Sequence, residues 1–334
     1  MLKSGISGDG PGGQMEVRLA LKAAGFIALD VVGIPGNLAV FLLFCHLLVA
    51  QGHMAHNELI LSQLVLANLM VTLCQGIAQV LTALDIAIIF NDQTCKVILF
   101  IYRVGRAMSI TTTSLLSSYQ CVVIAPPNPG WTWLKRWLPG HLPHAIIFLY
   151  GLNMVIYSTH VLFAQGPSTN GTVPEFTISV KFCFVVFPGR VAYRVAGMVY
   201  TVRDFTFVGL MAAAAVYVML VLHRHRQQVQ GLQGAGRKTE EASRAVLLLV
   251  STYVVLFGLD NALWFSSTFI THEHPAVTDT RVFVASCYSS ISPVLIIATN
   301  RKLATYFQCS SKRKTAENIP NSTETKASPV TITQ

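Results

Sequence analysis

The stretch Cys95–Pro127, CKVILFIYRVGRAMSITTTSLLSSYQCVVIAPP, decides how this chain is read. It is apolar and long enough to cross a bilayer, yet it holds Arg103 and Arg106 well inside. Arginine near the bilayer midplane is costly and by default marks a functional site. The two lie three positions apart, so a helix presents them on one face. A membrane protein that tolerates this pair is expected to use it.

The rest of the sequence agrees with a membrane setting. The chain has 334 residues, of which 52% are hydrophobic and only 12% charged. Soluble domains carry about 25% charged residues. The net charge of +9 invites a nucleic-acid reading, but the basic residues sit in short segments between apolar runs rather than on one face. Nucleic acid is therefore excluded as a partner. The first twenty residues are polar and glycine-rich and lack the apolar core of a signal peptide, so the first apolar stretch is expected to act as its own insertion signal. Seven cysteines stand without CxxC spacing, which argues against zinc, and no cofactor is expected.

Roughly 20 apolar residues cross the hydrocarbon core. Candidate spans are 22–49, 57–84, 95–124, 143–164, 193–222, 243–270 and 280–300. The expected fold is an all-α bundle of seven transmembrane helices over 22–300, with a short extracellular segment 1–21 and a cytoplasmic tail 301–334. Pro35 and Pro293 are tolerable kinks inside membrane helices. With the C-terminus inside, the cytoplasmic segments hold 13 Lys and Arg against 8 in the outer ones. Two features support that orientation. Asn170-Gly171-Thr172 is a glycosylation acceptor, usable only on the lumenal side. Cys95 and Cys183 both face the oxidising compartment, where a disulfide can persist; two unlinked thiols are the alternative. No internal repeat is visible, which counts against a transporter.

Seven spans joined by such a disulfide resemble a class A G-protein-coupled receptor, and Gly36-Asn37 matches that class's first-helix motif. The departures are equally clear. Tyr119-Gln120-Cys121 stands where an acidic-Arg-aromatic triplet is usual, Leu66-Ala67-Asn68-Leu69 lacks an aspartate, and Ser292-Pro293-Val294-Leu295-Ile296 replaces Asn-Pro-x-x-Tyr. These departures resemble the vomeronasal type 1 pheromone receptors and their teleost relatives. The likeness rests on Gly105-Arg106, the run Ser109–Ser117, Gln120, Ile124-Ala125-Pro126, Trp133-Leu134-Lys135 and Lys181-Phe182-Cys183. It continues through Arg203-Asp204, Phe207–Met211, Arg224–Gln230 and Leu247–Ser251, and covers about residues 30–300. The resemblance implies a plasma-membrane chemosensory receptor that binds a small pheromone or odorant and activates an inhibitory-type heterotrimeric G protein.

Helical rise places the buried charges. Arg106 lies about 16 Å below Cys95, Arg203 and Asp204 about 14–15 Å below Arg194, and Asp260 about 15 Å below Ile270. Four ionisable groups on three helices thus converge on one depth, with Arg103 a turn higher and Asp30 comparably placed. Buried charges pair or face water-filled cavities. Arginine's planar fork recognises carboxylates and sulfates bidentately. The expected ligand is therefore small, and anionic or rich in acceptors, held by Arg106 with Arg103 or Arg203 between walls of Tyr102, Phe207, Phe257 and Trp264. The competing reading is an internal salt-bridge network that holds the helices and touches no ligand.

At the cytoplasmic ends, Gln120, Arg224, Arg226, Arg237 and Lys238 are the candidates for G-protein coupling; attraction to anionic lipid is the alternative for the basic ones. Small side chains at Ser109–Ser118 read as close helix packing. His272-Glu273-His274 reads as a solvated loop rather than a metal site. Cys309 is a candidate for palmitoylation. A bitter-taste-type receptor is the runner-up, and a channel or transporter is the rival of another class. No HExxH, GxSxG or paired catalytic carboxylates appear, so no enzyme is expected.

Overall fold

A computed structural model of the chain describes residues 11–84, 91–166, 176–179, 182–229, 236–269, 275–300 and 303–306. Helix α1 (Pro11–Gln51) leads to α2 (His56–Val71), which continues through a π turn (Thr72–Gly76) into α3 (Ile77–Ala83). Then come α4 (Asp92–Ile124), α5 (Pro129–Phe163), α6 (Arg190–Val229), α7 (Gly236–Phe269) and α8 (Pro275–Thr299). Each of the seven expected spans falls on one of these rods to within a residue, with α2 and α3 counted as one.

Helix α4 packs against α2, α5, α6 and α7, while α1 closes the ring between α2 and α8. Six of the described helices are long and apolar enough to cross a membrane. The seventh, α4, has the length, 33 residues or about 50 Å, but carries Arg103, Arg106 and a run of hydroxyls. Its position resolves the cost of those arginines. Residues 102–114 are buried without a break, so they meet protein and not lipid.

The bundle inverts the usual distribution of polarity. Leu42, Phe148, Val155, Val202 and Val255 face outward, whereas Asn37, Asn68, Gln75, Asn153 and Ser289 are fully buried. Hydrocarbon solvates the first set, and only other protein groups can satisfy the second. Asn68 is the clearest case. Its Nδ2 donates to Tyr253 Oη at 3.1 Å and Ser292 Oγ at 2.8 Å, and its Oδ1 accepts from Ser109 Oγ at 2.7 Å. Four neutral residues on α2, α4, α7 and α8 thereby satisfy one another.

A proline explains the seam between α1 and α8. Pro293 has no N–H to give the carbonyl four residues earlier. Asn37 Nδ2 donates to that carbonyl, Ser289 O, at 2.9 Å, and to Gly33 O at 2.8 Å. Gly36 lets the helices meet here, because a Cβ on it would come within 2.8 Å of Pro293 Cγ.

Two regions differ from the sequence expectation. The segment between the expected spans 95–124 and 143–164 is already helix from Pro129 onward. Pro129 suits the first helical position. Beyond it, Trp133, Trp137 and His141 stack four residues apart, at 5.7 and 4.0 Å between ring centroids. That stacked face carries the helix through Pro139 and Pro143, and Lys135 Nζ donates back to Ala125 O at 2.8 Å, capping α4. The loop after α5 holds a small antiparallel sheet, β1 (Ala164–Gln165), β2 (Thr177–Ser179) and β3 (Phe184–Val186), in the order β1-β3-β2. Cys183, just before β3, is disulfide-bonded to Cys95 in the first turn of α4, with Cα atoms 5.7 Å apart. The sheet is thus tied across one end of the bundle.

Candidate ligand-binding site

Below the sheet, ion pairs join three helices and a hydrogen bond extends the chain to a fourth. Arg106 of α4 donates through Nη1 to Asp204 Oδ2 of α6 at 2.9 Å. Its Nε donates to Asp260 Oδ2 of α7 at 3.1 Å, and its Nη2 engages the same oxygen. Arg203, next to Asp204 on α6, donates from Nε to Asp204 Oδ1 at 2.9 Å, with Nη2 on that oxygen too. The other edge of Arg203 donates from Nη1 to Asn153 Oδ1 of α5 at 3.1 Å. Its guanidinium lies 4.9 Å from the Tyr157 ring centroid. All five polar residues of this chain are buried. Two cations and two anions balance within it, so the layer is electrically neutral.

Above that layer lies a narrow cleft, with a cavity volume of about 30 Å³. Arg106, Asp204 and Asp260 form its floor; Tyr102, Tyr157, Tyr200 and Trp264 supply aromatic walls. Two more arginines complete the lining, Arg103 from α4 and Arg281 from α8. Each rests on an aromatic face, Arg103 at 5.5 Å from Tyr102 and Arg281 at 4.7 Å from Trp264. Trp264 is held in turn by donation from Nε1 to Thr201 Oγ1 at 3.1 Å, and Tyr200 shares a 2.6 Å hydroxyl contact with Thr159. Neither Arg103 nor Arg281 forms a salt bridge among the described residues, and Arg103 Nε is buried without a hydrogen-bond partner. With Arg203 behind the floor, the cleft region sets four guanidinium groups against two carboxylates.

Not every residue expected at the site reaches it. Tyr102, Arg103, Arg106, Asp204, Asp260 and Trp264 line the cleft. Arg203 lies behind the floor, bound to Asp204 and Asn153. Phe257 is not a wall: one turn from Asp260, it packs between Tyr253 and Tyr288 in the core, with ring centroids at 5.3 and 4.2 Å. Phe207 packs half-buried against the same core. Arg281, at the outer end of the expected seventh span, lines the cleft but is not among the residues expected there. A signal was present, since Arg281, Ala285 and Tyr288 repeat at four and three residues and so share one helical face.

At the opposite end, a shallow recess opens between α4, α6 and α7, lined by Ser117, Gln120, Ala214, Ala215, Val218, Leu247 and Val250. Gln120 is buried there and Arg224 is exposed. The side chains of Arg226, Arg237 and Lys238 lie outside the described residues, as do Asn170, the His272–His274 segment and the tail from 307 on.

A polar cleft at one end, a recess at the other and a disulfide-tied cap define a multi-pass helical receptor. Residues 22–309 match the vomeronasal organ pheromone receptor family, and the chain belongs to that family. It is 37% identical to "Olfactory receptor class A-like protein 1" of Danio rerio over 313 residues, covering 92% of this chain and 99% of that protein. It is 25% identical to "Vomeronasal type-1 receptor 4" of Homo sapiens, covering 81% and 92%. With "Vomeronasal type-1 receptor 45" of Mus musculus the identity is 29%, covering 81% and 86%. The family consists of G-protein-coupled chemosensory receptors rather than enzymes, so a small-molecule ligand and a heterotrimeric G protein are this chain's general partners.

Proposed function

We propose that this receptor detects a small organic anion in the cleft above the ion-pair layer and signals through an inhibitory-type G protein at the opposite end. One observation carries the reading. Around the cleft, four arginines face two aspartates, and both aspartates are already engaged by Arg106 and Arg203. Arg103 and Arg281 are left to meet an incoming charge. Their planar donor forks suit a carboxylate or sulfate, and the tyrosines and Trp264 suit an attached ring. The primary ligand contact thus shifts from Arg106 to Arg103 and Arg281, with Arg106 as the floor.

In this reading segment 1–21 is extracellular, the bundle over 22–300 spans the plasma membrane, and 301–334 is cytoplasmic. Asn170 is then glycosylated on the same side as the disulfide. Gln120 and the basic ends of α6 and α7 face the G protein, and the recess beside Gln120 is where an inserted partner helix would seat. Ligand would act by favouring a bundle arrangement in which that recess is wider.

The test is a panel of aryl carboxylates, aryl sulfates and matched amines on cells expressing the receptor, with G-protein activation read in the presence and absence of pertussis toxin. Anions should activate, amines should not, and the toxin should abolish the response. Activation by amines alone overturns the ligand reading; a response indifferent to the toxin overturns the coupling.

A further inference from the structure

The seam between α1, the π turn and α8 holds a second set of buried polar groups, remote from the ion-pair layer's partners. Asp30 on α1 is 9% exposed, and its Oδ2 has no hydrogen-bond partner. Its carboxylate presses on Gly76 of the π turn, where a Cβ would overlap all three carboxylate atoms. One turn along α1, a Cβ on Gly33 would come within 2.7 Å of Ser290 Oγ, another buried atom without a partner. Gln75 adjoins Gly76 in the π turn and Gln79 lies one turn on. Both are fully buried, and neither the oxygen nor the nitrogen of either amide has a partner.

This set contrasts with the neutral cluster around Asn68, whose hydrogen bonds close on themselves. Here the hydrogen-bonding groups outnumber the bonds, and one of them is a carboxylate. No salt bridge to Asp30 occurs among the described residues. An ionised carboxylate buried without a counter-charge costs several kcal/mol. Clustered orphan groups of this kind call for an ion or ordered water. The donors are oxygens of one carboxylate, two amides and a hydroxyl, a hard set with no imidazole or thiolate. A single negative charge is matched by a monovalent cation. The π turn contributes by its wider ring, a feature that recurs at functional sites, and its glycine lets the Asp30 carboxylate approach.

We propose that Asp30, the amide oxygens of Gln75 and Gln79, and Ser290 Oγ form a binding site for a monovalent cation of sodium's size. The site links α1, the π turn and α8, so occupancy would hold these three elements together. It does not depend on which ligand fills the cleft.

The experiment uses purified full-length receptor and sodium alone. Thermal midpoints are measured while sodium chloride replaces choline chloride at constant ionic strength, and sodium NMR linewidths are recorded in parallel. Sodium should raise the wild-type midpoint by several degrees in a saturable way, and the sodium line should broaden. Asp30→Asn, which mimics a protonated carboxyl, should have a midpoint indifferent to sodium and leave the line sharp. Should Asp30→Asn not fold, Gln79→Leu and Ser290→Ala should each shift half-saturation to higher sodium. A flat wild-type response with an unbroadened line overturns the proposal, as does the same sodium shift in wild type and Asp30→Asn.

Discussion

Arg106 of α4 donates to Asp204 of α6 at 2.9 Å, while its other edge holds Asp260 of α7. One guanidinium thus joins the three helices that also frame the recess beside Gln120, at the far end of the same rods. A ligand that tilts α6 or α7 at the cleft must strain these contacts. The ion-pair layer is therefore a clamp on the bundle, and in the proposed reading ligand binding at the cleft would act on it.

Arg106→Gln should consequently act first on stability. Asp204 keeps Arg203, but Asp260 loses the one salt bridge it has among the described residues, at a cost of about 3–5 kcal/mol. Surface labelling of a tagged receptor should fall to a small fraction of wild type. Adding Asp260→Asn removes the stranded charge, so the double variant should recover part of that expression. Unchanged surface levels in the single variant would show that the layer does not hold the bundle together.

Arg281→Gln and Arg103→Gln should behave differently. Neither side chain is tied to a carboxylate, so surface expression should stay near wild type. A charge-assisted hydrogen bond to a ligand is worth about 1.5–3 kcal/mol. Half-maximal response to an activating anion should therefore move up by roughly tenfold to hundredfold in each variant. Dose–response curves normalised to surface expression provide the check. Equal potency in both variants and wild type would place the anion elsewhere.

The layer was legible from helical rise alone, because Arg106, Arg203, Asp204 and Asp260 each sit about ten residues from a recognisable span end. Their partners were not. Which arginine meets which aspartate depends on helix rotation, and adjacent residues such as Arg203 and Asp204 both turn inward. Arg281 escapes a sequence reading because it opens a span, where a basic residue ordinarily snorkels to the interface. Phe257 has the composition of a cleft wall, yet one helical turn separates the floor from the core. The β1–β3 sheet leaves no trace in the sequence, since strands of two or three residues have no period to read. Helix α5 begins early because a tryptophan stack overrides two prolines.

Cys183→Ser should loosen the cap without touching the ion pairs. The disulfide spans 88 residues, and loss of a native bridge costs about 2–5 kcal/mol. Phe182, Val185 and Phe187, buried beside Tyr157 and Tyr200, depend on that anchor. Surface expression should drop, and Cys95→Ser should drop it equally, with the double variant no worse than either. Additive losses would indicate that each cysteine has a separate role.

The bond from Asn37 to Ser289 makes a sharper prediction, because its cause is a missing proton on Pro293. Asn37→Ala strands a buried carbonyl, which costs about 1–3 kcal/mol. Pro293→Ala restores an N–H that can reach the same carbonyl within the helix, so the carbonyl no longer needs Asn37. Together the two changes should cost less than the sum of their separate effects, by about 1 kcal/mol, as expected for residues sharing one acceptor. Thermal midpoints of the four receptors of that cycle measure the coupling. Strict additivity would mean that α1 and α8 are held by the close packing at Gly36 alone, with Asn37 contributing nothing specific to Pro293.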